Sequence, residues 1–141
     1  SEKGFTPTPT AESWQLSNAP VLAMAVHKVA LDLHDEVGIE KLREKSVQLT
    51  AYLEFIIREV SNQSASSYFE IITPEQPKER GCQLSILAHG LGRPLFDKLT
   101  QGGVIADWRE PNVIRIAPVP IYNSFEDCFR FGEILSSATQ N

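Results

Sequence analysis

Several residue types are scarce in this sequence, and each shortage excludes a class of protein. The two cysteines among its 141 residues, Cys82 and Cys128, are too few for a disulfide framework or a cysteine-based zinc site. No apolar run reaches the roughly 18 residues of a membrane helix, and the first ten residues lack the apolar region of a signal peptide. We therefore expect a protein of the reducing cytoplasm with buried thiols and no membrane partner.

Basic residues are also in the minority. Thirteen Lys and Arg stand against eighteen Asp and Glu, so the formal net charge is -5. Nucleic-acid-binding domains usually carry a basic patch or a high pI, and this balance argues against a nucleic-acid partner. His27 and His34 are seven residues apart instead of the four that a two-histidine metal site needs, and no metal site is predicted.

The residues that are present suit one globular domain. Hydrophobic residues make up 42% of the chain, and a chain of this length can bury a sizeable core. Residues 1–17 read SEKGFTPTPTAESWQLS, which has no helical or strand periodicity and predicts an extended connector. We interpret residues 18–141 as the domain itself, and the connector suggests that the chain is a piece of a longer protein.

Periodicity predicts four helices and four strands in the domain. The helices are expected at 19–36, 39–61 and about 93–101, and from residue 124 onward; the strands are expected at 68–74, 81–88, 104–110 and 113–119. The order α-α-β-β-α-β-β-α predicts an α+β fold, in which a mostly antiparallel sheet is covered by helices on one face.

Two helix starts carry capping signals. Asn18 precedes the first helix and is a favoured N-cap, with Pro20 in the first turn. Ser124 and Asp127 have the spacing of a capping box at the start of the last helix.

Arg115 is the first candidate binding residue. In the strand VIRIAPV, Ile114 and Ile116 are predicted to face the helices, which directs Arg115 to the open face of the sheet. A guanidinium is a planar fork that fits a carboxylate or phosphate, so Arg115 is a candidate anchor for an anion. An internal ion pair or a solvated arginine explains the same position.

Asn18 is the second candidate. Its amide at a helix N-terminus could act only as a cap, or it could also help to bind a phosphate or carboxylate there. Nothing in the sequence alone separates the two roles.

Long segments of the sequence closely resemble the C-terminal part of the kynureninase family. They are WQLSNAPVL, LREKSVQLTAYLE, IITP followed by ERGCQLSI, and GVIADWREPNVIRIAPVPIYNSFEDCFRF, and the similarity runs from about Phe5 to Leu135. The resemblance implies the small domain of a pyridoxal-phosphate enzyme of the aspartate-aminotransferase fold type I. Such enzymes are homodimeric hydrolases that convert L-kynurenine or 3-hydroxykynurenine to anthranilate-type products and L-alanine. They act in the kynurenine pathway of tryptophan catabolism and NAD biosynthesis.

The same resemblance assigns roles to both candidate residues. It implies that Arg115 binds the α-carboxylate of the substrate and therefore has no partner inside the chain, and that Asn18 contributes to the site for the cofactor phosphate. The lysine that carries the cofactor lies upstream in the family, so no catalytic residue is expected here. The chain alone should bind pyridoxal phosphate weakly and be inactive. The alternatives are a sensor domain that binds an amino acid or another anion without catalysis, and a structural role.

Overall fold

The computed structural model describes residues 4, 6–63 and 68–140. It contains the helices α1 (Val21–Val37), α2 (Ile39–Gln63), α3 (Gly92–Gln101) and α4 (Phe125–Thr139), and the strands β1 (Tyr68–Ile71), β2 (Leu84–His89), β3 (Asp107–Arg109) and β4 (Val113–Ile116). Short 3-10 turns cover Ala11–Trp14 and Pro77–Glu79. The chain divides into two compact units, Ser1–Gly38 and Ile39–Asn141.

The first unit consists of the N-terminal segment and α1. The predicted connector is irregular apart from its one 3-10 turn, and residues 1–3 and 5 of it lie outside the described residues. Every side chain of α1 is exposed, including large apolar ones such as Leu22 and Val26, which are 85% and 73% exposed. This unit therefore has no apolar core among its described residues.

The second unit is built on a four-stranded sheet. The strand order is β1-β2-β4-β3, and every neighbouring pair is antiparallel. The predicted order of elements and the antiparallel sheet are thus confirmed. The strands are shorter than predicted for local reasons. Val104 donates its N–H to Leu99 at the end of α3 instead of to the sheet, and Pro118 has no N–H with which to extend β4.

The core lies between one face of the sheet and three helices. On this face Leu84, Ile86 and Ile114 are fully buried. Phe69 of β1 and Ala88 of β2 complete the sheet side of the core. The helices supply Leu49, Leu53, Ile56, Ile57, Val60, Leu95, Leu99, Cys128, Phe131 and Leu135. The opposite face of the sheet carries Ser85 and Arg115, which are only partly buried. As predicted, α2, α3 and α4 all lie on the same face of this sheet.

The start of α4 follows the sequence prediction closely. Ser124 is the N-cap, its hydroxyl accepts from the backbone N–H of Asp127, and the Asp127 carboxylate accepts from the backbone N–H of Ser124 at 2.8 Å. This reciprocal pair satisfies two N–H groups that a helix start would otherwise leave without partners.

Helices α2 and α4 approach each other closely at Gly132. A methyl group added to this glycine would lie 2.6 Å from Cγ2 of Ile56 on α2. Glycine is therefore needed here for space, and it brings the middle of α4 against the core side of α2.

In the part of the chain that the structure describes, no helix is both long enough and apolar enough to cross a membrane.

Candidate functional site

Arg115 lies in β4 on the open face of the sheet, as predicted. Its neighbours across the sheet are Ser85 on β2 and Asp107 on β3. Its side chain is 32% exposed, whereas the adjacent Ile114 is fully buried on the other face. The alternation of the strand therefore presents a guanidinium at a surface that none of the three core helices covers.

The expectation that Arg115 has no partner inside the chain is wrong. Its Nε donates to Oδ2 of Asp107 at 2.6 Å, and its Nη2 contacts the same oxygen. Nε of Arg109 also lies 2.9 Å from this oxygen. We call Asp107, Arg109 and Arg115 the arginine–aspartate trio. Its formal charge is +1, because two guanidinium groups share one carboxylate.

The acid partner was missed because the turn before β4 is longer than predicted. The sequence analysis joined the two strands by Pro111 and Asn112, but the pairing of Arg109 with Val113 leaves three residues in the turn. In an antiparallel pair, a shift of the pairing register by one residue places a different residue opposite each side chain. With the observed register Arg115 faces Asp107, whereas the shorter turn would have placed Trp108 opposite it.

Asp107 is a strong carboxylate partner for both arginines. The hydrogen bond from Arg115, together with the positive charge of Arg109, holds the pKa of Asp107 below its ordinary value. Asp107 therefore stays ionised at any pH near neutrality, and the trio keeps its charge there.

The loop after β4 is held by its own hydrogen bonds. The backbone N–H of Val119 donates to Oδ1 of Asn123 at 2.9 Å, and the N–H of Asn123 donates back to the carbonyl of Val119 at 2.8 Å. Lys45 on α2 donates to the carbonyl of Pro120 at 2.7 Å. These bonds fix the chain just beyond Arg115, which supports a site of defined geometry.

A cleft of about 530 Å³ opens beside the end of β4. It is lined by Gly103, Ile116, Pro118, Tyr122, Asn123 and Arg130, among others. Arg115 is not part of its lining, because the arginine lies on the opposite face of the strand from Ile116. The trio is thus an open surface site and not the wall of this cleft.

Asn18 lies in the first unit and does not cap α1. The helix begins at Val21 with Pro20 in the N-cap position, and no side chain caps it. The prediction of an asparagine cap is therefore wrong. The residue before a proline is disfavoured in helical conformation, so Ala19 stays outside the helix and Asn18 lies two residues before the N-cap. Its exposed amide has no capping role in the structure.

The two thiols differ in their surroundings. Cys128 is buried in the core, and burial raises the pKa of its thiol to about 11. Cys82 is partly exposed, so the expectation of two buried thiols holds only for Cys128. The described residues contain no group of three or more histidine, cysteine or acidic side chains that could hold a metal ion.

Comparison with known proteins assigns the family. Residues 42–135 match the model of the kynureninase C-terminal domain. The chain belongs to the kynureninase family. It is 53% identical over 134 residues to a kynureninase of Flavobacterium psychrophilum and 54% identical over the same length to one of Christiangramia forsetii. A kynureninase of Koribacter versatilis is 48% identical over 127 residues.

These alignments cover most of the chain but little of its relatives. They span 95% of the chain and 31% of the Flavobacterium psychrophilum and Christiangramia forsetii proteins, and 90% of the chain and 29% of the Koribacter versatilis protein. The chain thus spans about a third of the length of the kynureninases that it matches. The α+β architecture described above is consistent with the C-terminal domain of this family and its fold type.

The described residues suit only part of a pyridoxal-phosphate site. The amide of Asn18 is exposed and the nearby N-terminus of α1 lacks a side-chain cap, so both have donors that fit a phosphate group. The cleft beside the end of β4 has no lysine among the described residues that line it, so it lacks the group to which the cofactor would be attached. Within this part of the kynureninase chain, the fit is therefore to the phosphate end of the cofactor alone.

Proposed function

We propose that this chain is the C-terminal domain of a cytoplasmic, homodimeric kynureninase that hydrolyses L-kynurenine or 3-hydroxykynurenine in tryptophan catabolism. Membership of the family supports this proposal, and the observation that carries it furthest is the partly exposed guanidinium of Arg115 on the open face of the sheet. A substrate with an α-carboxylate is the ligand that such a group would bind.

In this proposal, Arg115 binds and orients the substrate. A guanidinium and a carboxylate make two parallel hydrogen bonds, which fix both the position and the rotation of the bound amino acid. The hydrogen-bonded loop from Val119 to Asn123 limits movement of the adjacent strand end. The bond to be broken is thereby presented in a constant orientation.

Asn18 has a separate role in the proposal, at the phosphate of pyridoxal phosphate. Its exposed amide, which α1 does not use as a cap, supports this role. When bound, pyridoxal phosphate supplies an electron sink for the cleavage, and the residues that this chain adds are those that hold and orient. The remainder of the full-length protein would supply the lysine and the enclosed pocket.

The test is L-kynurenine hydrolysis by the full-length protein with pyridoxal phosphate, beside the 141-residue chain alone. We expect turnover by the full-length protein and none by the chain. Absence of turnover by both would refute the assignment and favour a binding domain for an amino acid or another anion.

The Arg115→Ala variant of the full-length protein tests the substrate role. Loss of a charge-assisted hydrogen bond costs roughly 1.5–3 kcal/mol. We therefore expect KM to rise about 10- to 150-fold while the affinity for pyridoxal phosphate is unchanged. Arg115→Lys keeps the charge but not the planar fork, and its KM should lie between that of the unaltered protein and that of Arg115→Ala.

Arg130→Ala is the matched control. It removes an exposed arginine of α4 that pairs with Glu126, and KM should not change. An unchanged KM in Arg115→Ala would show that this arginine does not bind the substrate.

A further inference from the structure

In the part of the chain that the structure describes, the side chain of Arg115 is held along one edge, by Asp107. A guanidinium has five N–H donors, and the two that face Asp107 are those of Nε and one of Nη2, which lie along its side edge. Three donors remain, and those of Nη1 and Nη2 point outward in parallel along the end edge. Among the described residues, Asp107 is the one acid that pairs with Arg115. The end edge is the one that fits a carboxylate with two parallel bonds.

From this geometry we propose that Asp107 positions Arg115 for the substrate carboxylate, and that Arg109 holds the Asp107 carboxylate in place. The inference rests on the proposed function, since it concerns the same site. A free arginine has many rotamers and must be ordered when a ligand binds, which weakens binding. An arginine already fixed along its side edge avoids much of that loss and presents its end edge in one direction.

Arg109 explains how an acid beside the binding arginine is compatible with binding an anion. A lone Asp107–Arg115 pair would be neutral and would attract a carboxylate weakly. Because Arg109 contacts the same oxygen of Asp107, the trio retains a charge of +1. When Arg115 binds a ligand, Arg109 still holds the Asp107 carboxylate in place.

The variant that tests this role is Asp107→Asn in the full-length protein. It keeps the size of the side chain and removes the charge that holds Arg115. We expect KM for L-kynurenine to rise about 2- to 12-fold, the factor for leaving one long side chain to be ordered on binding, with kcat unchanged. Calorimetric titration with L-alanine, which has the same α-carboxylate, should show a similar loss of affinity without turnover.

Asp97→Asn is the matched control, because it removes the same charge from another exposed pair. Nε of Arg93 lies 3.0 Å from Oδ1 of Asp97 on α3, and both side chains are 54% exposed. KM and the affinity for L-alanine should be unchanged in this variant.

A double variant separates positioning from a general structural effect. If Asp107 acts through Arg115, then Asp107→Asn should add nothing to the KM of Arg115→Ala. Additive effects would overturn the inference, as would an unchanged or lowered KM in Asp107→Asn alone. In those cases a raised KM in Arg115→Ala would leave the proposed function standing. An unchanged KM in Arg115→Ala would contradict both the inference about Asp107 and the proposed role of Arg115.

Discussion

Ser124 and Asp127 show how two residues can set the position of a helix. Each accepts from the backbone of the other, so the first turn of α4 starts at Phe125 and at no other residue. Replacing an N-cap serine by alanine costs about 1 kcal/mol, and we expect that loss in the free energy of unfolding of Ser124→Ala, measured by urea denaturation. An unchanged midpoint and slope would show that the cap contributes nothing.

Asp127 makes part of this stability depend on pH. Hydrogen bonds from the backbone and hydroxyl of Ser124 lower the pKa of Asp127 in the folded chain. The lowered pKa means that its contribution is present above the unfolded value, about 3.9, and is lost as the pH falls through the folded value. Asp127→Asn should therefore lower the melting temperature at pH 7, and the difference should shrink as the pH falls below about 3.9.

The control for this titration is Glu126→Gln. Glu126 pairs with Arg130 on the surface of α4 and takes no part in the capping box. We expect only a small effect on the melting temperature at pH 7, as for an exposed ion pair. A loss in Asp127→Asn that persisted at low pH would contradict the pH-dependent contribution.

Residues were predictable from sequence where their partners are local. The capping box depends on a spacing of three residues, and it was found. Asn18 fits the same local rules, but Pro20 moved the helix start past it. Asp107 lies eight residues from Arg115, and their contact exists only in one register of the hairpin. No local sequence pattern therefore predicts this ion pair.

At the scale of elements, the packing of α2 on α4 depends on the absence of a side chain at Gly132. Alanine would normally favour a helix over glycine, but here its methyl group would overlap Ile56. We expect Gly132→Ala to lower the free energy of unfolding by about 1–3 kcal/mol, because overpacking forces the helices apart.

Two further variants test that explanation. Ile56→Leu removes the branched methyl at the point of contact and should recover part of the loss in the double variant. Gly81→Ala makes the same substitution where nothing lies within 4 Å, and it should be neutral or slightly stabilising. Equal losses at both glycines would point to the backbone and not to the contact with Ile56.

Element types were predicted well because periodicity reports them directly. The alternation of β2 gave its buried face, and the spacing in α2 gave its buried stripe. In α4 the same spacing predicts that Phe125 and Phe129 face inward, which is wrong, because they are 43% and 50% exposed and Phe131 is buried instead. Strand ends were predicted too long, since hydrogen bonds to α3 and the missing N–H of a proline compete with the sheet. These competing effects are not visible in the alternation of apolar and polar residues by which a strand is predicted.

At the scale of the whole molecule, every buried apolar side chain among the described residues lies between residues 39 and 141. This unit has one continuous core that joins the sheet to α2, α3 and α4. We expect a chain of residues 39–141 to fold and to unfold in one cooperative transition, observed by circular dichroism and by tryptophan fluorescence of Trp108. Separate transitions for the two probes would contradict a single core.

The first unit has the opposite character. The apolar side chains of α1 are exposed along its whole length, which is typical of a surface that contacts another protein or domain. Because the chain spans about a third of the length of its relatives, we expect the remainder of a full-length kynureninase to cover this helix. The division of the chain at residue 17 stays a prediction.

The three-residue turn between β3 and β4 has a consequence for homologues and for design. A change in turn length between related proteins is usually taken to have no effect on function. Here the number of residues in the turn decides which side chain lies opposite Arg115. A change of pairing that moved Glu110 from the turn into the strand would leave the sequence unchanged and bring Trp108 opposite Arg115 in place of Asp107. The residues of the arginine–aspartate trio are therefore not sufficient to form it, and a graft of this arginine into another scaffold must carry the whole hairpin with its turn.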